Sequence, residues 1–140
     1  MPTIQLERVS GEYGFITTDE QGCEVKQDAS PEIGGQNFGA RPMQLLLSAM
    51  AGCSGIDVLS ILKKQRQEVQ EFKMTIEGER EKGKEPALWK TIKVHFKFKG
   101  NIDTEKAIKA VDLSINKYCS VAETLRLAGA TIETTVSVNE

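Results

Sequence analysis

The chain has 140 residues, 39% hydrophobic and 27% charged, with a net charge of −2 and an isoelectric point near 5.6. That length suits one domain over residues 1–140, large enough to bury a core. The acidic balance excludes the basic footprint of a nucleic-acid binder, and three cysteines are too few, and odd in number, for a secreted disulfide scaffold.

The opening MPTIQLERVSGEYG has no basic segment followed by an apolar run, so no secretory signal is expected. Ile4 and Leu6 share one face, SGEYG punctuates, FITT resumes, and DEQG turns again before CEVKQDA. Two or three short strands joined by tight turns are predicted here. SPEIGGQNFGARP, rich in Gly and Pro, is a loop whose length in a small domain suits function.

Pro42 fits a first helical turn, where its missing N–H costs nothing. From there LLLSAMAGCSGIDVLSIL carries a helix to about Arg66, and Lys63, Lys64 and Arg66 suit the negative end of its dipole. Roughly 25 residues at 1.5 Å each make about 37 Å, apolar on most sides. Ser48, Ser54, Asp57 and Ser60 make the segment too polar for a bilayer span, so no membrane is expected and the predicted location is cytoplasmic. So long an apolar helix needs more cover than short strands of one chain offer. A homodimer in which two such helices bury each other supplies it. Gly52 and Gly55, each costing about 1 kcal/mol against Ala in a helix interior, would let a second backbone approach or leave room beside Cys53.

EFKMTIEGER and TIKVHFKFKG alternate apolar with charged residues, and the link between them makes an antiparallel pair. Asp103 or Thr104 caps a second helix, whose apolar positions Ile108, Val111, Ile115, Tyr118 and Cys119 recur at spacings of three and four. It breaks near Ser120, continues through Ala122 and Leu125, and stops at Gly129. TIETTVSV closes the chain as a strand. The order of strands, helix, strands, helix and strand is α+β.

Cys53 can be a small core residue at a helix crossing or a nucleophile in a tight pocket. An ordinary thiol, with pKa about 8.5, is only a few per cent thiolate at neutral pH, so the second reading needs a cation nearby. Cys119 can likewise be core, or can meet Cys53 across two packed helices at disulfide distance. Cys23, at a turn, has no partner in sight and is read as a bystander. His95 falls on the lysine face of its strand and is read as solvated. Asp57, one helical turn beyond Cys53, is expected to cap or pair a structural group. No metal-ligand spacing, P-loop, dinucleotide fingerprint or nucleophile elbow is present, so neither metal nor cofactor is expected.

NFGARPMQLLLSAMAGCSGIDVLSILKKQR, INKYCSVAETL and ATIETTVSV closely resemble the OsmC/Ohr family of osmotically inducible and organic-hydroperoxide-resistance proteins. The resemblance implies antiparallel sheets wrapped around long central helices in an intertwined homodimer. It also implies a peroxidase in which Cys53 attacks an organic hydroperoxide, becomes a sulfenic acid, and condenses with Cys119 to a disulfide. A dithiol, such as a lipoylated protein, would restore the thiols.

The sequence departs from the family at one point. The enzymes carry a glutamate just after the helix-opening proline, and it pairs with an arginine from the N-terminal strands. Here Met43 and Gln44 occupy those positions, and Arg8 does not stand in the expected setting. Arg41 lies about 18 Å from Cys53 along its own helix, so Arg41 and Gln44 could support Cys53 only from a partner chain. The alternative is a catalytically weak dimeric binding protein of the same fold, with a hydrophobic interface pocket.

Overall fold

Three short strands open the chain, as the turn residues require. The computed structural model describes residues 1–140, and its contacts divide them into two units, Met1–Leu46 and Leu47–Glu140.

In the first unit β1 (Gln5–Ser10), β2 (Gly14–Thr18) and β3 (Glu24–Gln27) form an antiparallel sheet in that order. Gly11, at φ 59°, makes the first turn. Leu6, Val9 and Val25 of this sheet, and Ile4 just before it, are all exposed within the chain, while Phe15 and Ile16 of β2 are half-buried.

The Gly-rich loop that follows is organised by Asp28, which is only 3% exposed. Its carboxylate accepts hydrogen bonds from the backbone N–H groups of Ala29 at 2.7 Å, Gln36 at 2.9 Å and Phe38 at 3.1 Å. The Gln36 N–H does most to hold this carboxyl below the usual range. Burial opposes it, and the Phe38 and Ala29 N–H groups and the Arg41 charge add to it. A carboxyl with a lowered folded pKa stabilises the fold above its unfolded value of about 3.9. That contribution is lost as pH falls through the lower folded value. Asp28→Asn is therefore expected to lower the urea midpoint at pH 7, with the gap to wild type closing as pH falls below about 4. Equal midpoints at pH 7 would contradict this role.

The long helix α1 spans Pro42–Lys64, two residues short of the predicted end. It stops without a glycine. Arg66 takes φ 59°, the Gln67 N–H reaches back to the Leu62 carbonyl at 2.9 Å, and the Arg66 N–H reaches Lys63 at 3.0 Å. This pair of bonds is a Schellman closure. By length and composition alone α1 is apolar enough to cross a membrane, which corrects the expectation that its serines and Asp57 forbid it. In the second unit it is instead a core element on one side, burying Met50, Ser54, Gly55, Val58 and Leu62, while Ile56 stands 71% exposed.

β4 (Glu68–Arg80) and β5 (Trp89–Asn101) pair antiparallel, with Phe72 opposite Phe98, Met74 opposite Phe96 and Ile76 opposite Val94. α2 (Thr104–Leu113), a π turn over Ser114–Tyr118, and α3 (Ser120–Leu127) then return the chain to β6 (Thr131–Val138). β6 pairs with β5 in parallel, Ile132 beside Ile92 and Val136 beside Phe96. The expectation of antiparallel sheets thus holds for the first sheet and fails for the second, which is mixed. A helical crossover sends the chain back in the direction of the strand it left. β5 supplies the heart of the core, with Ile92, Val94, Phe96 and Phe98 at most 1% exposed.

Other details also differ from the sequence reading. Asp103 caps α2 as expected, accepting from the Glu105 N–H, but Ile108 and Tyr118 are exposed. Gly55 does not admit a helix here. A Cβ on it would meet the Phe72 ring at 3.3 Å and the Met74 sulfur at 3.4 Å, so β4 side chains use that space. Gly52 faces open space.

Candidate functional site

Cys53 sits at the middle of α1, and Asp57 follows one turn later on the same face. Cys119 arrives by a different route. α2 widens into the π turn, whose last bond runs from the Cys119 N–H to the Ser114 carbonyl at 2.7 Å. Cys119 then adopts extended backbone, φ −76° and ψ 104°, and becomes the cap of α3 rather than a residue on the face of α2. Its Sγ accepts the Ala122 N–H at 3.4 Å and lies 4.0 Å from the Met50 carbonyl.

The break delivers that sulfur to α1. The Sγ atoms of Cys53 and Cys119 and a carboxylate oxygen of Asp57 all lie within 4.8 Å of one another. The two thiols are not equivalent. Cys119 is buried and Cys53 half-buried. Burial pushes the Cys119 thiol up to about 11, the Ala122 N–H pulls it partly back, and the neighbouring Cys53 raises it again. At neutral pH Cys119 therefore keeps its proton.

Beneath the thiols, Ser54 and Ser114 are fully buried. Ser114 Oγ lies 2.9 Å from Ser54 Oγ and 3.1 Å from Asp57 Oδ2. An ionised carboxylate can only accept, so the single Ser114 hydrogen serves Asp57 and the Ser54 hydroxyl donates to Ser114. Asp57 thus pairs a structural group, as its position suggested. Ser114→Ala removes the donor to Asp57 and a partner of buried Ser54. It is expected to lower stability by about 1–3 kcal/mol in urea unfolding, and an unchanged midpoint would contradict the relay. Asp57 also lines a groove of about 660 Å³ with Ile61, Lys64, Leu113 and Tyr118.

The remaining candidates stand apart. Cys23 is exposed in the turn before β3. Arg41 and Gln44 belong to the first unit, and Cys53, Asp57 and Cys119 to the second. Arg41 donates to the Asn37 side chain and the Gly39 carbonyl, and Gln44 is exposed in the first turn of α1. His95 is held rather than freely solvated: its ring nitrogens lie 2.6 Å from Thr135 Oγ1 and 3.1 Å from Ser137 Oγ, both on β6. Sequence reasoning missed Ser54, Ser114 and the approach of Asp57 to Cys119. Only the spacing of Cys53 and Asp57 was visible as a signal.

The arrangement offers a half-buried thiol, a buried protonated thiol within reach of it, and a carboxylate positioned by a serine. Two sulfurs and one carboxylate oxygen at this separation are also a possible donor set for a cation.

A family model described as OsmC-like protein matches residues 34–135 of this chain. Protein YhfA of Escherichia coli strain K12 is 44% identical over 88 residues, a stretch that covers 62% of this chain and 65% of that protein. The crystal structure of a hypothetical protein from Aquifex aeolicus VF5 is similar over 100% of this chain and 98% of that one, at 32% identity and a TM-score of 0.81. An organic hydroperoxide resistance protein OsmC from Legionella pneumophila shares the fold at a TM-score of 0.73, with 18% identity over 99% of this chain and 97% of that one.

Proposed function

We propose that this chain, which belongs to the OsmC-like protein family, is a thiol-dependent peroxidase that reduces organic hydroperoxides through Cys53 and Cys119. The observation that carries the reading is the meeting of a half-buried and a buried thiol, with both sulfurs inside 4.8 Å. Solved structures of the same fold bear the name organic hydroperoxide resistance protein, which supports the substrate class.

Cys53, the more accessible sulfur, attacks as thiolate the terminal oxygen of the hydroperoxide. An S–O bond forms, the O–O bond breaks, and the departing alkoxide takes a proton to leave as an alcohol. Cys53 is then a sulfenic acid. Cys119 gives up its proton, its sulfur bonds to that of Cys53, and the S–O bond breaks to release water. A dithiol such as a lipoylated protein reduces the disulfide by two exchanges and becomes a disulfide itself. Burial of Cys119 suits the second role, because a thiol that stays protonated is kept from competing for the peroxide.

A second copy of the chain completes the reading. Leu46, Ile56 and Leu59 of α1, Leu6 and Val9 of β1 and Ile4 just before it are exposed within one chain, and burying them against a partner gains the free energy of apolar surface removed from water. The intertwined homodimer is that partner, and through it Arg41 or Gln44 of the other chain comes to Cys53. The reducing cytoplasm keeps both thiols ready.

Cumene hydroperoxide consumption with dihydrolipoamide as reductant tests the reading, alongside sedimentation equilibrium. Catalysed turnover by a particle of twice the 15.4 kDa chain mass is expected. Consumption no faster than with dihydrolipoamide alone would leave a dimeric binding protein instead.

A further inference from the structure

We propose that the reduced Cys53–Asp57–Cys119 cluster binds one zinc ion per chain. Its three donor atoms, two thiol sulfurs and a carboxylate oxygen, lie within 4.8 Å of one another. Around a tetrahedral zinc, with bonds of about 2.3 Å to sulfur and 2.0 Å to oxygen, such donors stand about 3.5–3.8 Å apart. The set therefore needs to close by at most about 1.3 Å.

The protein already holds these donors as metal ligands are held. Cys53 and Asp57 are one turn apart on a rigid helix, the spacing that lets two side chains reach one ion. Ser114 donates to Asp57 Oδ2 at 3.1 Å, orienting the carboxylate. The Ala122 N–H points at Cys119 Sγ at 3.4 Å, a bond that supports a thiolate. Outer hydrogen bonds of this kind orient ligands and tune affinity. Two sulfurs select a thiophilic ion over magnesium or calcium, and a single carboxylate fits zinc.

Coordination releases the thiol protons to water and fills three positions. The fourth is left to solvent, on the half-buried side where Cys53 and Asp57 lie. The zinc site shares Cys53 and Cys119 with the proposed peroxidase, so zinc and peroxide exclude each other.

The test is competition for zinc sulfate between the reduced, metal-free, full-length protein and a chromogenic chelator, without peroxide. One equivalent is expected per chain. Asp57→Asn and Ser114→Ala should each weaken binding about tenfold or more, Cys119→Ser should abolish it, and Cys23→Ser should leave it unchanged. Circular dichroism identifies any variant that fails to fold. In the wild-type protein, zinc should also slow alkylation of Cys53 and Cys119 but not of Cys23. No uptake by the wild-type protein, unchanged uptake in folded Asp57→Asn, or loss of uptake in Cys23→Ser would overturn the site. Peroxide turnover is measured separately on metal-free protein, so failure of one reading is distinguishable from failure of the other.

Discussion

Cys53→Ser is expected to abolish hydroperoxide turnover, by about a thousandfold or more, while leaving the fold intact. A serine hydroxyl does not displace an alkoxide from an O–O bond at neutral pH, and the remaining thiol at the site, Cys119, is buried and keeps its proton there. Cys119→Ser is expected to behave differently. Its first turnover consumes one equivalent of hydroperoxide and stops at the Cys53 sulfenic acid, which dimedone traps as a mass-shifted peptide. Steady turnover with a dithiol is then lost, because no sulfur stands beside Cys53 to close the disulfide. The two variants separate an attacking from a resolving cysteine. If Cys119→Ser turned over with dihydrolipoamide as fast as the wild-type protein, the two-cysteine cycle would be wrong even though Cys53 remained reactive.

Phe96→Ala is expected to cost about 3–5 kcal/mol in urea unfolding. Phe96 is fully buried at the centre of β5, opposite Met74 on one side and beside Val136 on the other. Its ring lies 6.4 Å from that of Phe72, and Phe98 lies 5.2 Å from the same ring. Truncation opens a cavity between two strands already fixed in register, so relaxation cannot fill it. Lys97→Ala, one residue on and pointing to solvent, should change stability by less than about 0.5 kcal/mol. Similar losses at both positions would contradict a strand with one dry and one wet face.

Much of this architecture was legible because it rests on periodicity and capping. Pro42 marked the start of α1, the alternation through Phe72, Met74 and Ile76 marked β4, and Asp103 marked the start of α2. Strand direction was not legible. TIETTVSV alternates in the same way whether its neighbour runs with it or against it, and only the helical crossover decides. The end of α1 was hidden by an arginine taking the left-handed conformation that a glycine usually supplies.

The candidate site was half legible for a similar reason. Cys53 and Asp57 declare their shared face by spacing alone. Cys119 joins them through a π turn that no residue pattern announces, and it does so as a helix cap rather than as part of an apolar stripe. Ser54 and Ser114 read as incidental small residues until the packing of α1 brings their hydroxyls within 2.9 Å. The cation that the resemblance calls for is absent from the sequence at the expected place, and Arg41 is engaged by its own loop.

The most direct measurement is peptide mapping of the reduced full-length protein after one equivalent of cumene hydroperoxide, with remaining thiols alkylated before digestion. A linked peptide joining Cys53 to Cys119 within one chain, with Cys23 still alkylated, is the predicted result. Recovery of Cys53 and Cys119 both fully alkylated would contradict a peroxidase built on this pair.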